Sequence, residues 1–465
     1  MYKRGAVWFR NDLRIRDHQA LSQAIAECEH VIGLYFIQSD KWNTNSLGFP
    51  SIGIHRTRFL IESLQDLKNT FLELGSDLLI VRGSYKESLS SICQELDIEK
   101  IYLSHEYAQE EYEEELNAQQ LLKTDGVEFE SFHQSSLIHL DDLPFDLYDL
   151  PDVFTQFRKQ VEKQFHVRSE LPAPIKINGF SVPHSHVPTL SIFECNNDPS
   201  PNTAGVFKGG EQNGLDRLND YLWHHRSIIH YKETRNESLG IDYSSKFSVW
   251  LAFGCLSPRT IFWQVRKFEQ EIVKNDSTYW MIFELLWRDY FRWVSLKYGN
   301  KIFLINGIRS ESNAVRKNPA LFKKWMEGKT GIPFLDAHLL ELKETGFMSN
   351  RGRQNVASFL VKDLSLDWRW GARWFESQLI DYDVYSNWCN WMYIAGVGND
   401  PRENRYFNIY SQALRYDPTG EYVKSKFPEL NHLSGEEVHL PTVFAPSKKI
   451  PERFKEPVID VQGWL

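Results

Sequence analysis

The sequence predicts two domains in series, an α/β domain with a doubly wound parallel sheet and then a mostly helical domain. Its 465 residues exceed what one ordinary hydrophobic core accommodates. Short β-rich runs alternate with helical patterns from residue 6 to residue 133, which is typical of a parallel sheet covered by helices. From 206 to about 430, apolar residues recur at helical spacing instead.

The first domain, residues 1–133, contains the apolar runs AVWFR, HVIGLYFI, DLLIVRG, KIYLSHE and VEFESFH, which we interpret as strands. Helical patterns separate them at about 18–27, 55–74, 85–96 and 108–123. The turn after the first strand, RNDLRIRDHQAL, lacks the GxGxxG pattern of dinucleotide-binding sheets. We therefore expect a Rossmann-like sheet that does not bind NAD.

The remaining chain divides into a linker, a helical domain and a tail. Between 134 and 205 the periodicity fades and prolines cluster, which predicts a long connecting segment. In the helical domain, 206–430, Pro258 and Gly346 stand where helices would begin and end. The tail, 431–465, is rich in proline and charge and is expected to wrap over the surface with few strands, or to be only partly ordered.

Charge and tryptophan are both unevenly distributed. The net charge is −9, yet residues 1–150 hold 13 basic and 26 acidic residues, whereas residues 151–465 hold 40 and 36. Twelve of the 15 tryptophans lie between Trp223 and Trp391. A polyanion could therefore bind the rear part of the chain through a local basic patch.

Several classes of protein are disfavoured. No apolar run reaches 18 residues, and the start, MYKRGAVWFR, does not resemble a signal peptide, so we expect no membrane span and a cytoplasmic location. The cysteines are far apart and form no CxxC pair, which predicts reduced thiols and no metal site. They are Cys28, Cys93, Cys195, Cys255 and Cys389.

The stretch LIDYDVYSNWCNW, 379–391, places two carboxylates in an apolar segment. Buried Asp381 and Asp383 each need a cation or a hydrogen-bond donor. Arg351 and Arg353, which lead into the apolar helix NVASFLVKDL, are the first candidates. An alternative is a metal-binding carboxylate pair in a transferase or hydrolase.

Two further stretches combine polar and apolar residues in a way that suggests a site. In IDYSSKFSVWLAFGCLSPR, hydroxyl groups surround Lys246 and would suit a pyrophosphate, although serine-rich turns more often cap helices. In FELLWRDYFRW, Glu284, Trp287, Arg288 and Phe291 share one helical face. An aromatic stripe is normally core, but core packing explains the charged Glu284 and Arg288 poorly.

Taken in order, these motifs closely resemble the photolyase/cryptochrome family, and its DASH branch in particular. The resemblance rests on VWFRNDLR, PDVFTQFRKQVE, STYWMIFELLWRDYFRW, TGFMSNRGRQNVASFLVKDL, NWMYIAGVGNDPRENRYFN and YDPTGEYVKSKFPEL. It implies FAD bound in the helical domain and an antenna pterin, usually 5,10-methenyltetrahydrofolate, near the first domain. It also implies light-driven splitting of cyclobutane pyrimidine dimers by an electron from reduced FAD.

The resemblance assigns FAD contacts by position. It implies that Arg353 pairs with Asp381 beside the isoalloxazine and that Asn387 faces the flavin N5, where an amide cannot readily donate a proton and so favours an anionic reduced flavin. The implied FAD-binding residues are Tyr231, Ser244, Ser245, Lys246, Phe247, Ser248, Arg288, Asn350, Arg353, Asp381, Asp383 and Asn387.

The resemblance also implies a pocket for an extruded dimer. Its residues would be Glu284, Trp287, Asn350, Gln354 and Tyr393. Photolyases that act on duplex DNA tend to carry Met and Trp where this chain has Gln354 and Tyr393. Smaller, more polar walls recover less of the cost of opening a duplex, which implies a preference for single-stranded or looped DNA.

Trp391 and Trp368 match the inner members of the family's photoreducing tryptophan chain, whereas Val315 stands at the position of the outermost one. Trp325, Trp370, Trp374 or a tyrosine could complete the route, or photoreduction could be slow. For Trp370, Trp374 and Trp388 taken singly, core packing is the preferred interpretation.

Glu106 stands where a pterin-contacting glutamate is expected, but it precedes the acidic run EEYEEELNAQQ and could equally be a solvated surface residue. For the run itself, at 110–120, a solvated helix face is the preferred interpretation.

The leading hypothesis is a DASH-type cryptochrome acting as a photolyase on single-stranded DNA, with RNA left open as a second ligand and a monomer or weak dimer expected. The alternative is a blue-light photoreceptor or nucleic-acid-binding regulator with the same fold. A (6-4) photolyase is disfavoured because the matched SNRGR stretch contains no histidine.

Overall fold

The computed structural model describes residues 1–183, 185–193, 207–309, 315–402 and 405–465. Its N-terminal part contains a five-stranded sheet in the order β3-β2-β1-β4-β5, with every neighbouring pair parallel. The strands are β1 (Tyr2–Trp8), β2 (Cys28–Ile37), β3 (Leu78–Arg82), β4 (Lys100–Ser104) and β5 (Glu128–Phe132). The predicted doubly wound parallel sheet is confirmed.

Helices cover both faces of this sheet. On one face Val7 packs with apolar residues of the first two helices, and on the other Ala6 and Trp8 pack with those of the next two. Because parallel strands are buried on both faces, they are continuous apolar runs, as the sequence has them. The helices are α1 (Gln19–Glu27), α2 (Ile54–Glu73), α3 (Tyr85–Glu95) and α4 (Gln109–Thr124).

The rest of the chain is helical in the described residues, as predicted. Asn275 caps the longest helix with a capping box, Pro258 begins one helix, and Gly346 ends another in the left-handed conformation. The helices are α5 (Phe154–Lys163), α6 (Glu211–Asn219), α7 (Tyr231–Thr234), α8 (Ser248–Ala252), α9 (Pro258–Glu271), α10 (Asp276–Tyr298), α11 (Pro319–Met326), α12 (Pro333–Thr345), α13 (Asn350–Ser358), α14 (Trp368–Gln378), α15 (Val384–Ala395), α16 (Ile409–Tyr416), α17 (Glu421–Lys426), α18 (Glu436–His439) and α19 (Pro441–Phe444).

The stretch 134–205, for which a connecting segment is predicted, carries structure that bears on the site. It contains α5, and the ring of Phe154 stacks on Trp287 of α10 at 3.7 Å between centroids. The backbone N–H groups of Leu137 and Ile138 donate to the buried carboxylate of Asp289 at 3.0 and 2.8 Å. Part of this stretch is therefore packed on α10.

The acidic helix α4 is not wholly a solvated face, so that interpretation is wrong for Glu115. This side chain is 6% exposed and lies on the same face as Ala118 and Leu122. Its carboxylate accepts from His105 at 2.8 Å and from Arg10 at 3.2 Å. The buried Arg10 guanidinium gives it the partner that a buried carboxylate needs.

The tail contacts the helical domain through backbone and side chains. The N–H of Val458 donates to the carbonyl of Thr330 at 2.9 Å, and the indole N–H of Trp464 donates to the Tyr406 hydroxyl at 2.7 Å. Trp464 is 6% exposed, so this part of the tail is packed rather than loose.

Other expectations concern cysteines, membranes and metals. Cys28, Cys93, Cys255 and Cys389 are buried and free, while Cys195 lies outside the described residues. Across the described ranges, no helix has the length and apolar character to cross a bilayer. Within the same ranges, no cluster of histidine, cysteine and carboxylate side chains could hold a metal ion.

Candidate functional site

A deep cavity in the helical domain brings most of the predicted site residues together. It lies among α7, α8, α10, α13 and α15, and Trp391 is part of its lining. The predicted residues that line it are Tyr231, Ser244, Ser245, Lys246, Phe247, Ser248, Glu284, Arg288, Asn350, Arg353, Gln354, Asp381, Asp383, Asn387 and Trp391. Trp287, Tyr393, Trp368 and Glu106 are not part of this lining.

Asp381 has the arginine partner that the sequence predicts. The Nη2 of Arg353 donates to its two oxygens at 2.9 and 2.8 Å, and the Ser248 hydroxyl donates to Oδ2 at 2.7 Å. Asp381 is 7% exposed. The carboxylate is thus fully paired before any ligand is considered, and Arg353 keeps further donors for one.

Asp383 is paired with a cation that the sequence did not indicate. The Nη2 of Arg292 in α10 donates to its Oδ2 at 3.0 Å, while its Oδ1 accepts from the Ser386 N–H at 2.8 Å and so caps α15. Burial acts to raise the pKa of Asp383, but Arg292 and Arg288 outweigh it, and the pKa is lowered. The carboxylate is therefore charged and held in place.

The two aspartates do not converge. Asp381 is bound to Arg353 and Asp383 to Arg292. A metal-binding pair would need both carboxylates to point at one ion, with further oxygen ligands around it. The arrangement therefore gives no support to the hydrolase or transferase interpretation.

Lys246 is a buried lysine whose amine pairs with no carboxylate in the part of the chain that the structure describes. Its ammonium finds no hydrogen-bond partner among the described residues, and the residue is only 5% exposed. The Nζ lies 3.1 Å from the ring centroid of Tyr243, and burial holds its pKa well below the ordinary value. A phosphate group would supply the missing charge and acceptors.

The loop around Lys246 is shaped by Arg217, another residue that the sequence analysis missed. Its guanidinium donates to the carbonyls of Ser245 and Ser244 at 3.0 and 3.2 Å and pairs with Asp242 at 2.7 Å. These contacts turn the loop and leave the Ser244 and Lys246 side chains on the cavity wall. Lys246 itself has a positive φ of 62°, an uncommon conformation for a residue with a side chain.

Asn387 presents an acceptor to the cavity. Its amide nitrogen donates to the carbonyl of Ala372 at 3.0 Å, which fixes the orientation of the side chain. The amide oxygen has no partner among the described residues and lies on the cavity wall. An amide held in this way can accept a hydrogen bond from a ligand but carries no acidic proton.

Glu284, which also lines the cavity, is held by two donors. Its Oε1 accepts from the Arg235 guanidinium, and also from the indole N–H of Trp280 at 3.1 Å. Burial raises the pKa of Glu284, although Arg235 opposes the shift. Arg235 was not singled out from the sequence, because nothing local connects it with a residue 49 positions away.

Gln354 and Tyr393, the predicted substrate-selective positions, are both held by arginines. The Nη1 of Arg351 donates to the Gln354 amide oxygen at 2.8 Å. The guanidinium of Arg405 lies 5.0 Å from the Tyr393 ring centroid, and Arg402 donates to its hydroxyl at 3.4 Å. Both side chains are therefore polar and lie next to positive charge, and of the two Gln354 lines the cavity.

Trp287 contacts both Tyr393 and the connecting segment. One contact is the stacked ring of Phe154, and Tyr393 meets it edge-on at 6.1 Å with an interplanar angle of 89°. Phe154 was missed as a functional residue. Phe157 and Val161 follow it at helical spacing, but the stretch was expected to be a connecting segment, and nothing in the sequence placed a helix there against α10.

The tryptophans of the predicted electron path are deeply buried. Trp391 is 2% exposed and lies against Gly371, where an added Cβ would come within 2.2 Å of its ring. Trp368 is equally buried, and its indole N–H donates to the carbonyl of Ile305 at 3.0 Å. Val315 lies at the position of the absent outer tryptophan and is partly buried.

Glu106 is not a solvated surface residue, so that alternative is wrong. It is 2% exposed, accepts from the Tyr385 hydroxyl at 2.8 Å, and lies 3.7 Å from the Nη1 of Arg292. Arg292 thus lies between Glu106, after β4, and Asp383 at the start of α15. Its Nη1 and Nε have no hydrogen-bond partner among the described residues.

Comparison with known proteins identifies the family. Residues 280–463 match the FAD binding domain of DNA photolyase, and residues 6–175 match the DNA photolyase domain. A Synechocystis protein named cryptochrome DASH is 45% identical over 95% of this chain and 91% of its own length. A Gloeobacter violaceus protein of the same name is 46% identical, over 98% and 93%. This chain belongs to the photolyase/cryptochrome family, in its DASH branch.

The DASH relationship extends to the fold. The crystal structure of the Synechocystis cryptochrome superposes with a TM-score of 0.95 at 42% identity, covering 100% of this chain and 98% of that one. The matched FAD-binding region includes most of α10 and the cavity-lining residues between Phe347 and Ile394. A flavin nucleotide fits the side chains there, because the orphaned Lys246 needs an anion and Asn387 offers a fixed acceptor.

Proposed function

We propose that this DASH cryptochrome splits cyclobutane pyrimidine dimers in light by electron transfer from reduced FAD, preferentially in single-stranded or looped DNA. The observation that carries the proposal is that Glu284, Asn350 and Gln354, expected at the dimer, line the same cavity as the residues expected at FAD. Electron transfer from a flavin to a dimer requires both in one pocket, with water excluded.

The polar ends of FAD would be held by Lys246, whose ammonium has no partner among the described residues, and by polar groups near it on the cavity wall. Lys246, with the hydroxyls of Ser244 and Ser245 beside it, is suited to the phosphates. The pair of Arg353 and Asp381 offers a donor and an acceptor side by side to the isoalloxazine. When bound and reduced, FAD supplies the electron for dimer splitting.

Glu284 is the group proposed to hold the dimer through a hydrogen bond. Since burial raises its pKa, the carboxyl group can carry a proton more readily than an exposed glutamate and donate it to a pyrimidine carbonyl. Arg235 and Trp280 fix its position. Negative charge that develops on the dimer would be stabilised by this donor in a site with little water.

Strand preference would follow from the walls of the pocket. Extruding a dimer from a duplex costs a few kcal/mol of stacking and pairing, which a single strand does not have to supply. Trp287 offers one stacking surface, backed by Phe154. Gln354 and Tyr393 offer amide and hydroxyl groups in place of larger apolar surface. Contacts with the dimer therefore offset less of the free energy needed to extrude it from a duplex.

The DNA backbone would lie over the arginine-rich rim that includes Arg235, Arg351 and Arg405. Arg351 is placed 3.3 Å from the Asn236 amide oxygen and over the Tyr416 ring at 4.6 Å. Guanidinium groups at such a rim contact phosphates without reading sequence. RNA offers the same phosphates, so it is a second ligand to be tested.

We also propose a methenyltetrahydrofolate antenna beside Glu106, following the family. Support comes from a second carboxylate oxygen, Oε1 of Glu106, which has no bond to a described residue, in contrast to Oε2. Loading the purified protein with the pterin and comparing Glu106→Gln tests this, with bound pterin measured by its near-ultraviolet absorption. Equal binding by both proteins would contradict the assignment.

The decisive experiment uses chemically reduced protein under blue light, with oligonucleotides carrying one thymine dimer in single-stranded and duplex form. We expect efficient repair of the single strand and weak repair of the duplex. The double variant Gln354→Met with Tyr393→Trp should reduce the difference between the repair of the single strand and the repair of the duplex. Gln120→Met, on the exposed face of α4, is the matched control and should leave it unchanged.

A flavin-containing protein that repairs neither substrate would overturn the repair proposal and favour the photoreceptor or regulator alternative. Purified protein that contains no FAD would overturn the proposed cavity contents as well. Equal repair of both substrates would retain the enzyme but contradict the roles of Gln354 and Tyr393.

A further inference from the structure

The chain lacks the outer tryptophan at Val315, yet other tryptophans lie around Trp391. We infer that Trp325 and Trp370 form an electron path of their own, which leads from solvent to Trp391 and refills it after it reduces the flavin in light. The inference rests on the proposed binding of FAD but not on repair of DNA.

Ring contacts define the path. The Trp391 and Trp325 centroids are 6.3 Å apart, with an interplanar angle of 72°. Phe322 stacks on Trp325 at 5.8 Å and meets Trp370 at 5.3 Å. Because electron transfer falls steeply with separation, rings in contact are the favoured stations, and Phe322 fills the gap between two oxidisable indoles.

The state of each indole N–H decides where the path ends. Oxidation makes an indole N–H strongly acidic, and loss of its proton to water traps the positive charge as a neutral radical. Trp370 is partly exposed, and within the described part of the chain its N–H is neither buried nor bonded to protein. The trap can form there.

The other tryptophans near the path lack such an outlet. Trp325 is 0% exposed and donates to the Val356 carbonyl at 3.1 Å. Trp368 is bonded to Ile305, and Trp388, at 4% exposure, is bonded to the Tyr382 hydroxyl. The Nε1 of Trp374 is buried without an acceptor. Trp370 is thus the member of this group with access to water.

The path carries one electron at a time and ends in the loss of one proton from Trp370. Trp391 gives one electron to the flavin, Trp325 gives one to oxidised Trp391, and Trp370 gives one to oxidised Trp325. Oxidised Trp370 releases its indole proton to water. A thiol in solution then returns one electron and one proton to Trp370 and becomes a thiyl radical, so one thiol is consumed for each electron delivered.

The test compares Trp370→Phe, which cannot be oxidised readily, with Trp370→Tyr, which can. In FAD-loaded protein with a thiol present, we expect a several-fold loss of flavin photoreduction in the phenylalanine variant and partial recovery in the tyrosine variant. Trp263→Phe is the matched control, because Trp263 is 37% exposed and its N–H is bonded to the Arg168 carbonyl. It should behave as wild type.

Two readouts separate this path from a structural effect. Time-resolved absorption and electron paramagnetic resonance should show a long-lived neutral tryptophan radical that disappears in Trp370→Phe. In FAD-free protein, hydroxyl-radical footprinting should modify Trp370 ahead of Trp325, Trp368 and Trp388.

The inference would be overturned if Trp370→Phe photoreduces the flavin as wild type does while Trp368→Phe does not. That result would assign the electron path to Trp368. Chemically reduced Trp370→Phe should repair dimers as wild type does, provided that the repair proposal holds. Absence of repair in both proteins would refute that proposal while leaving the photoreduction result valid.

Discussion

The guanidinium of Arg292 lies between two carboxylates, Asp383 at 3.0 Å and Glu106 at 3.7 Å, with only 4% of its side chain exposed. Charges this deeply buried are stable only in combination, because each was removed from water. From the sequence, Asp381 and Asp383 were each expected to need a cation or a hydrogen-bond donor, and Arg351 and Arg353 were the candidates; Arg353 pairs with Asp381, whereas Asp383 pairs with Arg292. Arg292 was present in a quoted motif, where its residue type alone did not reveal its partner.

Replacing Arg292 with methionine should destabilise the fold by about 3–5 kcal/mol, the usual cost of leaving one partner of a buried ion pair alone. Flavin content should fall as well, because Asp383 lines the cavity. Denaturant unfolding and flavin absorption measure the two effects. The double variant with Asp383→Asn should recover part of the stability. Additive losses in the double variant would show that the pair is not coupled.

Glu111 gives a pH dependence at the same scale. Burial, with the nearby Glu106 carboxylate, raises its pKa to about 7 from 4.5. A carboxyl group with a raised pKa in the folded state contributes stability that is fully present below pH 4.5 and lost as the pH rises through about 7.

Glu111→Gln should therefore raise the free energy of unfolding at pH 8, by roughly 1 kcal/mol after allowance for solvent near the group, and leave it almost unchanged at pH 4. Glu113→Gln, on the exposed face of the same helix, is the control. Urea unfolding at the two pH values measures the difference. An equal shift at both pH values would contradict the assignment.

At the scale of elements, α5 is a helix that the sequence did not lead us to predict. Phe154, Phe157 and Val161 have helical spacing, but the pattern spans only ten residues, and prolines dominate the stretch that follows it. The long helix α10 was predicted because its pattern is longer, and the strands were predicted because their short apolar runs alternate regularly with helical patterns. Which helices face each other depends on packing, and spacing along the chain does not determine it.

The contact between Phe154 and Trp287 predicts that substitutions at two positions of α5 differ in their effect on DNA binding. Phe154→Leu should weaken binding of a dimer-containing single strand several-fold, since Trp287 loses its stacked support, and should leave flavin content unchanged. Phe157→Leu, one turn on and fully buried, is the control and should lower stability to a similar degree without weakening DNA binding. Fluorescence anisotropy measures the affinity. If both variants weakened DNA binding equally, the cause would be a general loss of packing in α5 rather than the loss of the stacked ring.

The same limit explains which parts of the site were found. Arg353 and Asp381 were matched because their motifs are long and lie only 28 residues apart. The pairs of Arg235 with Glu284, and of Tyr385 with Glu106, join residues 49 and 279 positions apart. Nothing in a single sequence relates such positions, so these contacts had to come from the structure.

At the scale of the whole molecule, the near-neutral remainder of the chain should bind nucleic acid, and the acidic first domain should not. Single-strand affinity should fall as salt rises, because phosphate contacts release counterions. Arg351→Gln should weaken binding to all sequences and reduce the salt slope by about 1. Lys86→Gln in the first domain should change neither the affinity for single strands nor its dependence on salt. A slope that is the same in all three proteins would place the DNA elsewhere.

The contacts of α10 with the connecting segment have a consequence for attempts to divide the protein. Asp289 is capped by the N–H groups of Leu137 and Ile138, and Arg288 donates to the carbonyl of Ser135 at 2.6 Å. A fragment that begins after residue 205 would expose these charged groups in the helix that forms the cavity. The segment that follows the last strand must therefore be inherited together with the helical domain, whatever changes occur on the outer surface of the first domain.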